Sequence, residues 1–178
     1  MSNYTYVVEC QGVMYTYRVP GKFAERFVDR VEEEANMKEV EKLDLNNETV
    51  YLEIQSGEKL AKYVEGTIMS TTDVVSYNEM SVKALKKLHN SDLKFTDYNA
   101  FGRLDTYENY CKEMGFEHPQ EYKELRHTLD EMRKMYTEVK KVPCHCDYQP
   151  TNLVIAKDKF YVLDWEFAGM NDPFYDIA

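Results

Sequence analysis

Residues 143–178 read PCHCDYQPTNLVIAKDKFYVLDWEFAGMNDPFYDIA, and this stretch decides the fold. His145-x-Asp147 opens a polar loop, and Asn152 follows five residues after the aspartate. Two short apolar runs come next, Leu153 to Ala156 and Phe160 to Leu163, joined by Lys157-Asp158-Lys159. Runs of this kind around a polar turn predict a β-hairpin. Asp164 stands at its far end. A hairpin brings its two ends together, so Asn152 and Asp164 can share one ligand, with Asp147 on the loop just outside. Mg²⁺ prefers hard oxygen ligands and takes few of them from protein. Phosphoryl transfer needs little covalent help beyond that: ligands that hold the phosphates and one group that orients the nucleophile. A lone His-x-Asp is most often a polar loop, and a lone aspartate at a strand end is most often a cap. The reading rests on their order and spacing together.

Working toward the N-terminus, residues 120–141 and 103–115 read as helices, and Pro119 suits a helix start. Residues 73–89 carry Val74, Val75, Met80, Val82, Leu85 and Leu88 and read as a third. Gly66 marks a change of composition. Before it, Thr49 to Ile54 and Lys59 to Val64 predict two strands around Ser56-Gly57, and residues 4–10 and 13–19 predict a hairpin turning at Gln11-Gly12. Residues 23–43 read as one helix whose apolar face is Phe23, Phe27, Val31 and Ala35. No internal repeat is present.

The chain has 178 residues, 43% of them hydrophobic and 30% charged, which suits one domain or two small lobes around a cleft. Its formal net charge of −10 disfavours nucleic acid and anionic lipid as partners and favours a small cationic one. No apolar run is long enough to span a membrane, and the N-terminus lacks the pattern of a signal peptide. The four cysteines show no disulfide-framework spacing and read as reduced thiols of a cytoplasmic protein. Cys144-His145-Cys146 lacks the spacing of a transition-metal site. The 15 tyrosines read as core and cleft wall, not as stacking platforms for nucleic acid.

The 143–178 segment resembles the choline/ethanolamine kinase and aminoglycoside phosphotransferase superfamily. That pattern is His-x-Asp, four residues, Asn, a hairpin, then Asp-Trp/Phe-Glu, and the run Asp164 to Pro173 is similar to the bacterial choline kinase form. The resemblance implies an α+β, protein-kinase-like bilobal fold, with a small antiparallel β lobe at residues 1–65 and a helical lobe at 66–178. It implies ATP and Mg²⁺ as cofactors and a small cationic alcohol such as choline as substrate. Carried over, Asp147 is the catalytic base, Asn152 and Asp164 are the metal ligands, and His145 holds the loop. Gln149, Glu166 and Phe167 lie on the substrate side. Arg18 stands where protein kinases place a phosphate-facing lysine, Glu33 is its acidic partner, and Val64 lies in the lobe-linking stretch whose backbone binds adenine. Val82 to His89 resembles the helix before the substrate region, with His89 structural. Cys146 stands where relatives carry Gly or Asn.

The same resemblance makes the fold incomplete at both termini. Ser2-Asn3-Tyr4 resembles the end of a phosphate-covering loop, and the helices that complete the acceptor pocket would lie past Ala178. An active minimal kinase, an aminoglycoside-type phosphotransferase, and a catalytically impaired remnant or binding module are all compatible with this. An edge strand left open would favour a homodimer.

Overall fold

Gln11 and Gly12 both take positive φ, 52° and 76°, the conformation of a two-residue turn whose twist matches the strands it joins. In the computed structural model, which describes residues 3–69, 74–136, 139–157 and 159–178, β1 (Tyr4–Cys10) accordingly folds back on β2 (Val13–Val19) in full antiparallel register. β2 next pairs with β4 (Lys59–Lys62), and β4 with β3 (Thr49–Leu52), giving a four-stranded antiparallel sheet of order β1-β2-β4-β3. Ser2, residue 73, residues 137 and 138, and Asp158, on which some of the expectations fall, lie outside the described residues.

The helix expected over 23–43 is shorter. α1 spans Arg30–Val40, with single 3-10 turns at Ala24–Arg26 and Glu41–Leu43 on either side. Phe23 has φ 67°, which no helix interior allows. Asp29 then caps α1, its carboxylate accepting from the backbone N–H groups of Val31 and Glu32. The buried face also differs from the expected one. Phe23 and Val31 are exposed, while Arg30, Glu33, Asn36, Met37 and Val40 are buried. These five keep helical spacing, but three are polar; Arg30 and Glu33 pair with each other, and the remaining partners come from elsewhere in the chain.

Past Gly66 the chain enters β5 (Thr67–Ile68), which pairs with β7 (Leu153–Ala156); β7 pairs with β8 (Lys159–Val162). A Cβ on Gly66 would lie 2.5 Å from the Ile155 carbonyl oxygen, so only glycine admits this approach. The helices are α2 (Val74–His89), α3 (Ala100–Glu113) and α4 (Gln120–Met135). α3 starts three residues earlier than expected because the Asn99 side chain caps it, accepting from Gly102 N at 3.1 Å. α4 ends earlier than expected, at Met135; the Tyr136 hydroxyl bonds Asp172, and residues 139–141 are not helical. β6 (Val142–Cys144) and β9 (Gly169–Asn171), neither expected from the sequence, pair antiparallel.

One core cluster joins these parts. Met37 and Val40 of α1 and Leu88 of α2 pack with Leu153, Val162 and Trp165 from the hairpin and the turn after it. Among the described residues, no helix is long and apolar enough to cross a membrane.

Candidate active site

β6 delivers the chain to His145, which is fully buried. Its Nδ1 accepts from the Asp147 backbone N–H at 3.2 Å, so Nε2 carries the proton and donates to the Leu163 carbonyl at 2.9 Å. Burial lowers the His145 pKa and outweighs the pull of Asp176, the Leu163 carbonyl, Asp164 and Asp147. A neutral imidazole thus ties the loop to the end of β8. Its ring meets Trp165 edge-on, with centroids 4.7 Å apart.

The loop then presents Asp147. Its carboxylate accepts from Asn152 Nδ2 at 2.9 Å and from Gln149 Nε2 at 3.2 Å. Asn152 Nδ2 also donates to the Asp147 carbonyl at 3.0 Å, which leaves the amide oxygen as the atom of Asn152 able to ligate a cation. Leu163 N donates to the Asn152 carbonyl at 2.7 Å, so the start of β7 and the residue before Asp164 are bonded together. Asp164 itself is left-handed, with φ 62° and ψ 62°. Asn152 and Asp164 both line a cavity of about 400 Å³ that also takes in Arg18, Lys59, Val64 and Leu163. Asn152 and Asp164 offer an amide oxygen and a carboxylate, the hard donors that suit Mg²⁺.

Behind this cavity lies a buried charge cluster. Arg18 Nη1 is 2.8 Å from Glu33 Oε1, 3.3 Å from Glu166 and 3.4 Å from Asp164. Its Nη2 donates to Glu33 Oε2 at 3.0 Å and to the Gly57 carbonyl at 3.1 Å. Arg30 adds bonds of 2.6 Å to Glu33 and 2.8 Å to Glu166. Asn3 completes Glu166 at 2.9 Å. Burial alone would raise the Glu33 pKa; Arg18, with Lys59 and Arg30, reverses this and holds it below the usual range. Glu166 goes the other way, pushed up by burial and by the nearby Asp164 carboxylate despite both arginines.

The structure therefore brings Arg18, Val64, Asn152 and Asp164 onto one cavity, with Glu33 directly behind Arg18. Gln149 is exposed and touches Asp147. Phe167 is half-buried under the Arg103 guanidinium, 5.9 Å from the ring centroid. Glu166, expected on the substrate side, turns its carboxylate into the arginine cluster.

Sequence reasoning missed Asp176. Its carboxylate accepts from the backbone N–H of His145 (2.9 Å) and of Cys146 (2.7 Å) and bonds His89 Nε2 (2.9 Å). The acceptor in Asp172-Pro173-x-x-Asp176 thus holds the loop two residues before Asp147. Arg30 and Lys59 were missed as well, since both look like surface charges in the sequence. His89, Cys144 and Asp176 are the one group among the described residues whose ligand atoms lie within 4.8 Å of one another. Both Asp176 oxygens already accept hydrogen bonds, and burial pushes the Cys144 thiol far up, so the trio serves the loop clamp. Burial also pushes the Cys146 thiol up to about 12.

Residues 41–178 match the model of the phosphotransferase enzyme family. Protein LicA of Haemophilus influenzae is 28% identical over 190 residues, covering 100% of this chain and 69% of the relative. The solved choline kinase LicA from Streptococcus pneumoniae is similar with a TM-score of 0.83 at 23% identity, covering 99% of this chain. A LicA structure in complex with AMP gives 0.85 at 23% identity and again covers 99% of this chain. The chain spans 64% and 63% of those two solved chains. At that identity the likeness is one of fold, and the fold is α+β and protein-kinase-like.

Proposed function

The chain belongs to the phosphotransferase enzyme family, and from that premise we propose that it transfers the γ-phosphoryl group of ATP to the hydroxyl of a small cationic alcohol, choline being the leading candidate. Residues 1–65 and 66–178 act as two lobes, and the nucleotide lies in the cavity between Arg18 and Val64 on one side and Asn152 and Asp164 on the other. One observation carries the reading. Asn152, Asp164 and Arg18 line that cavity together, while Asn152 Nδ2 simultaneously holds the Asp147 carboxylate at 2.9 Å. The similarity to a protein solved with AMP supports a nucleotide there. The similarity to a choline kinase, together with the net charge of −10, supports a cationic acceptor.

Asn152 and Asp164 would hold Mg²⁺, which when bound neutralises charge on the phosphates. Asp147 orients the acceptor hydroxyl and takes its proton as the oxygen bonds to phosphorus and ADP leaves. Gln149 and Asn152 keep that carboxylate in one rotamer, which is a positioning task. His145 and Asp176 hold the loop from inside.

The test is calorimetric titration of the chain with Mg·ATP, followed by choline with ADP release monitored. Asp164→Ala should remove the magnesium-dependent part of nucleotide binding, and Asp147→Asn should lower turnover by roughly 10²–10⁴ while sparing ATP affinity. Unchanged Mg·ATP affinity in Asp164→Ala would remove Asp164 from the metal site. Full turnover in Asp147→Asn would rule out the base.

A further inference from the structure

We propose that the four-stranded sheet alone is the moving jaw over the nucleotide cavity, and that α1, although it lies within residues 1–65, belongs to the fixed body formed with residues 66–178. The closure on a nucleotide rests on the function proposed above; the partition of the free chain does not.

Apolar burial, the main favourable term in folding, places α1. The core cluster takes Met37 and Val40 from α1, and Leu43 and Leu45 just after it, and packs them with Leu88, Leu153, Val162 and Trp165. Among the described residues, none from β1 to β4 enters that cluster or packs against it. Hydrogen bonds run the same way along the whole segment. Arg103 donates to the Phe27 carbonyl at 3.1 Å, and Asn36 to the Ala168 carbonyl at 2.7 Å. The Lys94 N–H donates to the Glu39 carboxylate at 3.0 Å, and the Val162 N–H to the Leu45 carbonyl at 2.8 Å.

The sheet is held differently. Arg18 reaches Glu33, Glu166 and Asp164, Asn3 just before β1 reaches Glu166, and the Lys59 ammonium lies 3.8 Å from the Met37 sulfur. These contacts share no apolar core, so the sheet can lift as a unit while exposing little apolar surface. Lifting also returns buried charges to water, which offsets the bonds lost. Glu33 is then a fixed post, and the Arg18–Glu33 pair is the latch that forms as the sheet seats and sets Arg18 at the cavity. The cavity lies across this division. Val7, Arg18 and Ala61 line it from the sheet, Asn152, Val154 and Asp164 line it from the fixed body, and among the described residues none of α1 does. A ligand that touches both walls favours the seated form by its difference in affinity for the two forms.

The connecting segments have the form of a hinge. Leu45 is fixed to β8 and Thr49 already belongs to β3, so one bend falls at residues 46–48. Asn47 Nδ2 donates to the Lys62 carbonyl at 2.9 Å and Lys62 N to the Glu48 carbonyl at 2.9 Å, which sets this bend beside the start of the 63–66 stretch. The third connection passes through Pro20-Gly21. Hinge closure is absorbed by a few such residues at element ends.

Nitroxide labels are placed in pairs on Val31→Cys in α1, Val50→Cys in β3 and Lys83→Cys in α2, all exposed positions, in a chain that also carries Cys10→Ser and Cys111→Ser. Pulsed electron resonance reads the distances with and without Mg·ATP. The 31–83 pair should give one narrow distance, unmoved by Mg·ATP. Both pairs that include position 50 should be at least about twice as broad in the free chain and should narrow on Mg·ATP. A narrow 31–50 distance beside a broad 31–83 distance puts α1 with the sheet and overturns the proposal. Three narrow, unmoved distances in a sample whose calorimetry records Mg·ATP binding overturn it as well. Where calorimetry records no binding, the nucleotide reading falls by itself, and the widths in the free chain still decide whether the sheet is the separate body.

Discussion

Asp176→Ala tests whether one carboxylate holds the catalytic loop from below. The change removes an acceptor that takes three hydrogen bonds, from His145 N at 2.9 Å, Cys146 N at 2.7 Å and His89 Nε2 at 2.9 Å. The Asp176 side chain is fully buried, and His145 beside it is as well. A hydrogen bond to a charged group contributes about 1.5–3 kcal/mol, so three independent bonds would contribute about 4.5–9 kcal/mol. They share one carboxylate and do not add independently. Water also reaches His89, whose side chain is 13% exposed. The expected loss is therefore about 3–5 kcal/mol, a large part of the 5–15 kcal/mol that holds a typical domain folded. In a chain of this length it lowers the melting temperature by roughly 6–20 °C. Asp176→Asn keeps one acceptor oxygen but turns amide hydrogens toward a donor, so it should fall between the two. Urea unfolding followed by tryptophan fluorescence is the assay, because the single tryptophan, Trp165, packs on the His145 ring. A midpoint for Asp176→Ala within about 1 kcal/mol of wild type would refute the clamp, since the two buried N–H groups would then have other partners.

Glu33→Gln should destabilise the chain by about 3–5 kcal/mol, because it leaves Arg18 and Arg30 short of their shared counter-charge in a buried site. Denaturant titration reads this, and a loss below about 1 kcal/mol would mean that Glu166 and Asp164 suffice. His145 makes the stability pH-dependent with a definite sign. Its folded pKa is lowered, so below the unfolded value of about 6.5 the unfolded chain binds a proton that the folded chain refuses. That contribution is complete above pH ~6.5 and is lost as pH falls, by up to about 1.4 kcal/mol per unit. The stability difference between wild type and His145→Gln, measured from about pH 7 to 5, should shrink on acidification; a constant difference contradicts the buried neutral imidazole.

The parts of the fold legible in the sequence are those where local chemistry and tertiary demand agree. The 4–19 hairpin is one, since Gln11-Gly12 supplies the turn and both flanking runs favour strands. The 153–163 hairpin and the loop before it are another, and there His145, Asp147, Asn152 and Asp164 fall close together because hairpin geometry forces their segments to meet. α1 is not legible in this way. Phe23, Phe27, Val31 and Ala35 form the apolar stripe that periodicity finds, and burial follows Arg30, Glu33, Asn36, Met37 and Val40 instead. Arg30 and Glu33 can be buried only because Glu166 and Arg18 meet them, and Glu166 lies 136 residues from Arg30 in sequence. No window along the chain contains that information. Asp176 is hidden for a second reason. Its partners include two backbone N–H groups, which every residue but proline carries, so no residue pattern marks them.

The buried charges also explain why the two halves of the site are coupled. α1 packs on the turn that follows Asp164, and Asn36 donates to the Ala168 carbonyl at 2.7 Å. Glu166, two residues past the candidate metal ligand, accepts from Arg30 of α1 and from Arg18 of β2. Apolar contacts alone would let α1 slide along this turn with little change in energy, because dispersion is not directional. Bonds of 2.6 to 3.0 Å from two guanidinium groups are directional, and a shift of one ångström would break them. The cluster therefore fixes the position of Asp164 relative to Arg18 at the expense of burying four charged groups, Arg18, Arg30, Glu33 and Glu166. Well-packed apolar residues in the same space are often at least as stable, so what these bonds add is direction.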